Sequence, residues 1–270
     1  MKNKKTLALA LALILALVAC SDDTIKTQTP TDTSQPEVTD KPTDDIKSPE
    51  NTTEDGQTGD TSVTKEAGIL SVIDAYDVEI RYEKRPRRHD KFYTIVYDET
   101  LGNEIHFDNQ VVEAGLEDDN KVKILIKGYG QNNIISFGGG LKELDLDGYY
   151  KLHFKNYKQA RLDLDLYGAI DGEVSVENTH LDLDLEGAVN LKLMGSSPHL
   201  EVDIEGAGKL DAQDLEANYA KVDIDGAGKA VVNVIDQLDA KVEGVGVIEY
   251  VSEPRTLNKQ IEGIGSIKKK

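Results

Sequence analysis

The sequence predicts an all-β fold, a parallel β-helix, from a glycine period and an alternation of apolar and acidic residues. A fixed period of about 20 residues is typical of a solenoid, in which each repeat buries a face against its neighbours. Such a period is marked in the second half of the chain by Gly128, Gly148, Gly168, Gly187, Gly206, Gly226, Gly244 and Gly263. The residues before each glycine alternate with period 2, which indicates strands rather than helices.

Each predicted coil has the same plan. A first strand, such as Leu181–Glu186, places Leu, Val or Ile inward and acidic residues outward. A glycine corner follows, then a second strand and a polar bend. Parallel strands stack about 4.8 Å apart, and right-handed crossovers are the strong default, so we expect a right-handed solenoid.

The segment before these coils is rich in strands but lacks the period. Residues 66–119 contain four strand-like runs, and we expect them to form an irregular cap over one end of the regular coils at 120–270. The basic run from Lys84 to His89 contains Pro86, and we interpret it as a solvated turn between strands.

The N-terminal part of the chain differs in composition from the rest. Residues 1–19 have a basic start and an apolar run too short to span a membrane, which predicts a signal peptide. The run ends in Leu17-Val18-Ala19-Cys20, which resembles the lipobox of bacterial lipoproteins, in which the cysteine receives the lipid. Cys20 is the only cysteine in the chain. Residues 20–65 have almost no large apolar side chains, so we expect a solvated, lipid-anchored tether.

Several sequence features resemble a known family. The corner G-A-G-K occurs at Gly206–Lys209 and again at Gly226–Lys229, and I-E-G-I-G-S-I-K occurs at Ile261–Lys268. These features are similar to the putative auto-transporter adhesin, head GIN domain family. The resemblance covers residues 120–270 well and 69–119 weakly. It implies a β-helical domain on an exported bacterial protein, and it supplies no catalytic residues.

Three coils depart from the G-A-G pattern. They have Tyr150, Ile170 and Val189 at the third position of the corner. The sequence therefore leaves the conformation of those corners undetermined, although it establishes the repeat itself.

Stacking converts this register into columns of acidic side chains. The column three residues before each glycine contains Asp145, Asp165, Asp184, Asp203 and Asp223. Carboxylates about 5 Å apart repel each other, and they are also suitable ligands for Ca²⁺. Three interpretations stay open: outward charges that keep the sheet soluble, diffuse attraction of cations, and a defined Ca²⁺ site at residues such as Asp184 and Asp203.

Two further groups are candidate sites. Arg161, His180, His199 and Tyr219 form a column seven residues before the glycines, and the two histidines could hold a transition metal if a third ligand reached them. Tyr129, Tyr149, Tyr150 and Tyr167 lie near corners, where aromatic faces could stack on sugar rings. A polar stack at a coil edge and ordinary packing are the alternative interpretations.

The composition and the motifs favour a non-catalytic binding module. The net charge of −19 argues against nucleic acid as a partner. The acids repeat coil after coil without the local exception that glycoside hydrolysis needs, and we expect no catalytic residues and no cofactor. We therefore predict a surface lipoprotein that binds an extracellular protein or glycan. An envelope scaffold and a polysaccharide-active enzyme are the alternatives.

The predicted location follows from the anchor. The expected partner at that end is the membrane of the bacterial cell envelope, reached through the lipid on Cys20. The outer membrane, the cell surface and the membrane of a single-membrane bacterium all fit this sequence.

Overall fold

A computed structural model of the protein describes residues 68–72, 75–85, 91–117 and 120–270. These residues form sixteen β-strands, and the only other regular element among them is a 3₁₀ turn at Glu99–Leu101. The predicted signal peptide, the tether and Cys20 lie outside the described residues, as does most of the basic run near Pro86. No helix in this part of the chain is long and apolar enough to cross a membrane.

The strands vary from short pieces to runs of 18 residues. In chain order they are β1 Ile69–Ser71, β2 Tyr76–Tyr82, β3 Tyr93–Tyr97, β4 Glu104–His106, β5 Val112–Leu116, β6 Lys121–Ile126, β7 Ile134–Phe137, β8 Leu141–Tyr157, β9 Arg161–Glu177, β10 His180–Ser196, β11 His199–Gly206, β12 Lys209–Gly226, β13 Lys229–Gly244, β14 Val247–Tyr250, β15 Thr256–Gly263 and β16 Ser266–Lys269.

From β8 to β16 the strands pair in parallel and in chain order, which confirms the parallel solenoid. The residues predicted to stack inside do so in a single column: Leu144, Leu164, Leu183, Val202 and Val222. All five side chains are buried. The hydrophobic interior therefore runs along the axis of the stack. The acidic residues that alternate with these positions along each strand face outward.

The glycine corners hold the coils together closely. Gly226 has a φ of +135°, and a Cβ built there would lie 2.5 Å from the carbonyl oxygen of Gly206 in the preceding coil. The amide of Ala227 donates to that same oxygen at 2.7 Å. Glycine is required because the backbone is left-handed and the coils touch backbone to backbone.

The three coils without the G-A-G pattern keep the glycine and differ in the residues after it. Strands β8, β9 and β10 continue through Gly148, Gly168 and Gly187, each with positive φ. The side chains at the third position of these corners are buried in the core. In the later coils the strand stops at the corner, where Gly208 leaves no space for a side chain beside Ile204.

The order of the first coils differs from the order along the chain. Strand β2 pairs in parallel with β6 on one side and β8 on the other, and β3 lies in the same way between β7 and β8. The coil formed by β2 and β3 is thus inserted between the coils of residues 121–137 and 141–157. The irregular section expected at 66–119 is thus not confined to one end, because residues 76–97 supply a coil within the stack.

Three antiparallel pairs close this end of the solenoid. Strand β5 pairs with β6, and β4 lies between β1 and β7. Gly128 does not belong to the series of corners, because it is absent from the glycines with positive φ. The spacing between Gly128 and Gly148 therefore does not reflect stacked corners.

The last coil ends the hydrophobic column with a charged residue. Lys259 pairs with Ala240 at the position that Leu or Val occupies in the earlier coils. Its Nζ donates to the carbonyl oxygen of Ile267 at 2.9 Å and lies 5.0 Å from the centre of the Tyr250 ring. An inward-directed charge at an edge strand disfavours the addition of another strand.

Candidate functional site

The outward residues of β8 to β12 form the predicted acidic column. Asp145, Asp165, Asp184, Asp203 and Asp223 are register partners on consecutive strands. Because β2 lies beside β8, Glu79 precedes Asp145 in the same column. Lys123 and Lys241 come next at the two ends. We call these six acidic residues, from Glu79 to Asp223, the carboxylate ladder.

The charge of the ladder is neutralised at its ends and not at its centre. Arg81 donates two hydrogen bonds to the carboxylate of Asp145, at 3.0 and 2.5 Å, and Lys221 lies 3.8 Å from Asp223. In the described part of the chain no cationic side chain forms an ion pair with Asp165 or Asp184. Burial, followed by repulsion from neighbouring carboxylates, raises the pKa of Asp165 to about 6.

The geometry does not complete either metal site considered from the sequence. Asp184 and Asp203 are adjacent in register. His180 and His199 are also adjacent, but their rings stack at 4.6 Å and 9°, so their in-plane lone pairs do not converge on one ion. Among the described residues there is no group of three or more His, Cys, Asp or Glu placed to hold a metal.

The two histidines belong to a longer column of stacked side chains. Five consecutive register partners form this column, which we call the ring column because its three central residues carry rings: Arg161, His180, His199, Tyr219 and Gln237. The ring of Tyr219 continues the histidine stack, 5.3 Å from His199 and inclined by 13°. The predicted column is therefore confirmed, and its three rings form one continuous stack along the solenoid axis.

Buried polar side chains in the bends position these rings. The Asn178 side-chain amide donates to the carbonyl oxygen of His180 at 2.8 Å, and the Ser197 hydroxyl donates to that of His199 at 3.0 Å. Both Asn178 and Ser197 are buried. The amide of Tyr219 donates to the carbonyl oxygen of Pro198 at 2.9 Å. The stack is thus fixed by the backbone from which it projects.

A second row of polar side chains runs parallel to the ring column. Two residues further along each strand lie Asp182, Glu201, Lys221 and Asp239, also consecutive register partners. Leu181, Leu200 and Ala220, which lie between the two rows, are buried. The rows and this floor line a shallow groove of about 250 Å³. We call this groove the trench.

Most charges of the trench form ion pairs, whereas Asp239 accepts hydrogen bonds from the amides of Gln237 and Asn258. Arg161 contacts Asp163 at 2.8 Å and Asp182 at 3.2 Å. Lys221 Nζ lies 2.5 Å from Glu201. These ion pairs are exposed and contribute little to stability. Because of these pairs, the trench carries less net negative charge than the carboxylate ladder beside it.

The four tyrosines predicted as binding candidates are not brought together as one surface. Tyr150 is buried and its ring stacks on Tyr82 at 5.4 Å, so it offers no open face. Tyr129 packs on Tyr93 at 5.7 Å, and the carbonyl oxygen of Tyr149 accepts a hydrogen bond from Tyr82. Tyr129 and Tyr150 of the predicted cluster therefore take part in aromatic packing.

The fourth tyrosine lies apart from the other three. Tyr167 pairs with Asp147 on one side and Glu186 on the other. It lines a second groove, of about 480 Å³, which also contains Arg81 and Arg85. Arg85 binds both carboxylate oxygens of Asp147 at 2.5 and 2.6 Å, so this groove is bordered by a paired cation.

The fold defines the class of the protein as a parallel β-solenoid domain with an acidic outer face. Residues 94–254 match the family described as putative auto-transporter adhesin, head GIN domain, and the chain belongs to this family. The resemblance stated from the sequence is confirmed. The matched region begins earlier than residue 120 and ends before the I-E-G-I-G-S-I-K segment, which nevertheless forms the last coil of the stack.

Several solved structures share this fold. A putative adhesin from Bacteroides fragilis has a TM-score of 0.62 at 21% identity, with 75% of this chain and 95% of that chain covered. Putative adhesins from Parabacteroides merdae and Parabacteroides distasonis have TM-scores of 0.53 and 0.52, both at 18% identity. These cover 75% of this chain in each case, and 94% and 95% of their own chains. No curated protein matches the chain.

Proposed function

We propose that this protein is a non-catalytic binding module, displayed on the bacterial cell surface, that binds an extracellular protein or glycan through the trench. The observation that carries the proposal is the trench itself, in which three stacked rings and a row of internally paired charges lie side by side on a rigid sheet. Membership of a family described as adhesin-like supports the same function.

The geometry of the trench suits binding better than catalysis. Its polar groups repeat from coil to coil, and its carboxylates are paired with Arg161 and Lys221. A glycoside hydrolase instead needs two carboxyl groups in different environments, one of them held protonated. A long, shallow surface with repeated contacts is typical of sites that recognise extended ligands.

The binding proposal is tested with arrays of glycans and of extracellular proteins. The probe is the purified full chain, held in a detergent without a sugar headgroup, with and without Ca²⁺. We expect saturable binding to at least one ligand, and we expect the triple variant His180→Ala, His199→Ala and Tyr219→Ala to lose it. Binding to no ligand, or binding that the triple variant retains with full affinity, would contradict the proposal.

The proposed anchor is a lipid on Cys20, which would hold the domain at the membrane of the cell envelope through the tether of residues 20–65. The support is the Leu17-Val18-Ala19-Cys20 motif and the single cysteine of the chain. Replacing Cys20→Ser should leave the protein as an unprocessed precursor or release it from the membrane fraction. A Cys20→Ser protein that is cleaved normally and still sediments with membranes would show that the anchor is not this lipid.

A further inference from the structure

We infer that the Tyr219 end of the trench binds a neutral, hexose-containing glycan, with one sugar ring packed against the exposed part of the Tyr219 side chain. This inference rests on the proposed function and adds the class of ligand to it. It concerns a tyrosine outside the four that the sequence singled out as candidates for sugar binding.

The first observation is that the ring stack stops at Tyr219 while the column continues. His199 covers one face of the ring. On the other side the register partner is Gln237, followed by Thr256 on β15, and neither has a ring. Tyr219 is 48% exposed, one of the most exposed large hydrophobic side chains among the described residues. At the next position the Gln237 side chain is held along its own strand by a hydrogen bond to Asp239, so a sugar ring can pack on the exposed part of the Tyr219 ring.

The second observation is a cluster of planar polar groups at that position. The side-chain amides of Gln237 and Asn258 donate to the two carboxylate oxygens of Asp239, at 2.8 and 2.6 Å. This fixes the carboxylate and leaves each amide with a second N–H donor and a carbonyl acceptor. Neighbouring hydroxyl groups of a sugar need this combination of fixed donors and acceptors next to an apolar platform.

The third observation is the direction and spacing of the trench. Its two rows run along the solenoid axis, so their contacts repeat about every 4.8 Å. This spacing is close to the length of one hexose unit in an extended glycan. A glycan with one ring packed against the exposed part of Tyr219 could then extend along the trench, past the edges of His199 and His180 and the polar row opposite them.

The charges favour a neutral ligand over a charged one. An anionic glycan would meet the field of a chain with net charge −19. A cationic ligand would have to displace the amides of Gln237 and Asn258 from Asp239, and further along the trench it would compete with Arg161 and Lys221 for Asp182 and Glu201. A neutral sugar can share these paired groups by hydrogen bonding, without separating them.

The test is a calorimetric titration of the full chain, in a detergent without a sugar headgroup. The probes are neutral gluco-, galacto- and manno-configured oligosaccharides, an anionic uronate oligosaccharide and a cationic lysine-rich peptide. We expect at least one neutral oligosaccharide to bind, and to bind equally well at high NaCl, because the contacts are not ionic. Tyr219→Ala should weaken this binding about tenfold, whereas Tyr219→Phe should keep most of it.

Two further variants make the result specific. Asp239→Asn should weaken binding, because it disturbs the hydrogen bonds that hold Gln237 and Asn258. Tyr167→Ala, which removes a tyrosine from the same sheet face outside the trench, is the matched control and should leave affinity unchanged. Thermal melts of all variants check that they remain folded.

The inference is overturned if no neutral oligosaccharide binds, if Tyr219→Ala binds as well as the wild type, or if the only ligand is the peptide or the uronate. Should an array protein bind through the trench while every neutral sugar fails, the proposed function stands and the glycan inference falls. Failure of every ligand contradicts both.

Discussion

The N-terminal section, β1 to β7, and the regular coils, β9 to β13, both bury a hydrophobic core, but they do so with different side chains. The core of the first combines large aromatic residues such as Tyr76, Tyr93 and Phe137 with aliphatic ones, whereas the core of the second is aliphatic. The first contains antiparallel pairs and an inserted coil, whereas β9 to β13 pair only in parallel within the described residues.

This difference shows that a sequence period encodes the order of stacking. The glycine repeat is present where neighbours in the chain are also neighbours in the stack. It disappears where β2 pairs with β8, a strand that is distant from β2 in the chain. Buried aromatic residues such as Tyr76 and Tyr93 lie in this part of the core.

The largest expected effect comes from a glycine corner of the regular coils. Gly226→Ala should lower the free energy of unfolding by about 4 kcal/mol, since it places a Cβ at positive φ against the backbone of Gly206. Gly128→Ala is the matched change in the N-terminal section, where the nearest atom to a new Cβ is 3.8 Å away. Denaturant melts should show a clear loss for the first and a change within about 0.5 kcal/mol for the second. Equal losses would contradict the distinction between the two glycines.

The next largest loss of stability is expected in the aliphatic core of the regular coils. Leu183→Ala should destabilise the protein by about 3 kcal/mol, within the range of about 2 to 5 kcal/mol for a buried leucine that leaves a cavity. Leu257→Ala, in the last coil and only partly buried, is the control and should lose much less. An unchanged thermal melt for Leu183→Ala would mean that the leucines face outward.

A smaller effect depends on pH and on the carboxylate ladder. The folded protein raises the pKa of Asp165 from 3.8 to about 6, so the native state holds this proton more tightly than the unfolded chain does. Stability from this group is therefore highest below about pH 4 and is lost as the pH rises through about 6. We expect this loss to be about 1 kcal/mol, because the carboxyl group is partly exposed and solvent screens it.

Asp165→Asn should remove that loss, so the variant should melt higher than the wild type at pH 7 and similarly at pH 4. Burial also raises the pKa values of Glu143, Asp182 and Asp203, and hydrogen bonds lower those of Asp98 and Glu249, so the comparison with wild type is the measurement. Glu99→Gln removes one exposed negative charge from the N-terminal section and should leave the pH profile unchanged. A wild-type profile that Asp165→Asn does not alter would contradict the account of the ladder.

The smallest effect concerns salt and calcium. The described residues contain no group of three or more His, Cys, Asp or Glu placed to hold a metal. The repulsion between the ladder carboxylates should therefore be screened by any dissolved cation. NaCl and millimolar Ca²⁺ at matched ionic strength should then raise the melting temperature alike. A saturable rise at low Ca²⁺, lost in the double variant Asp184→Asn and Asp203→Asn, would instead establish a defined site.

The sequence predicted the parallel solenoid, the inward Leu and Val column, the carboxylate ladder and the ring column, because all of these follow from register. It did not predict that Glu79 extends the ladder or that Lys259 closes the core, because neither residue carries a signal outside its place in the stack. The tyrosines were misleading for a related reason. Tyr150 and Tyr129 look like corner residues in the sequence, whereas the inserted coil packs Tyr82 and Tyr93 against them.

The order of the first coils is the central claim, and disulfide capture tests it most directly. In a Cys20→Ser background, the pair Glu79→Cys and Asp145→Cys should form a disulfide readily, because these residues are register partners on adjacent strands. Lys123 pairs with the other side of Glu79, so Lys123→Cys and Asp145→Cys are two strands apart, about 10 Å, and should not form one. The reverse result, with Lys123 linked to Asp145 and Glu79 unlinked, would show that the coils stack in chain order and would contradict the account.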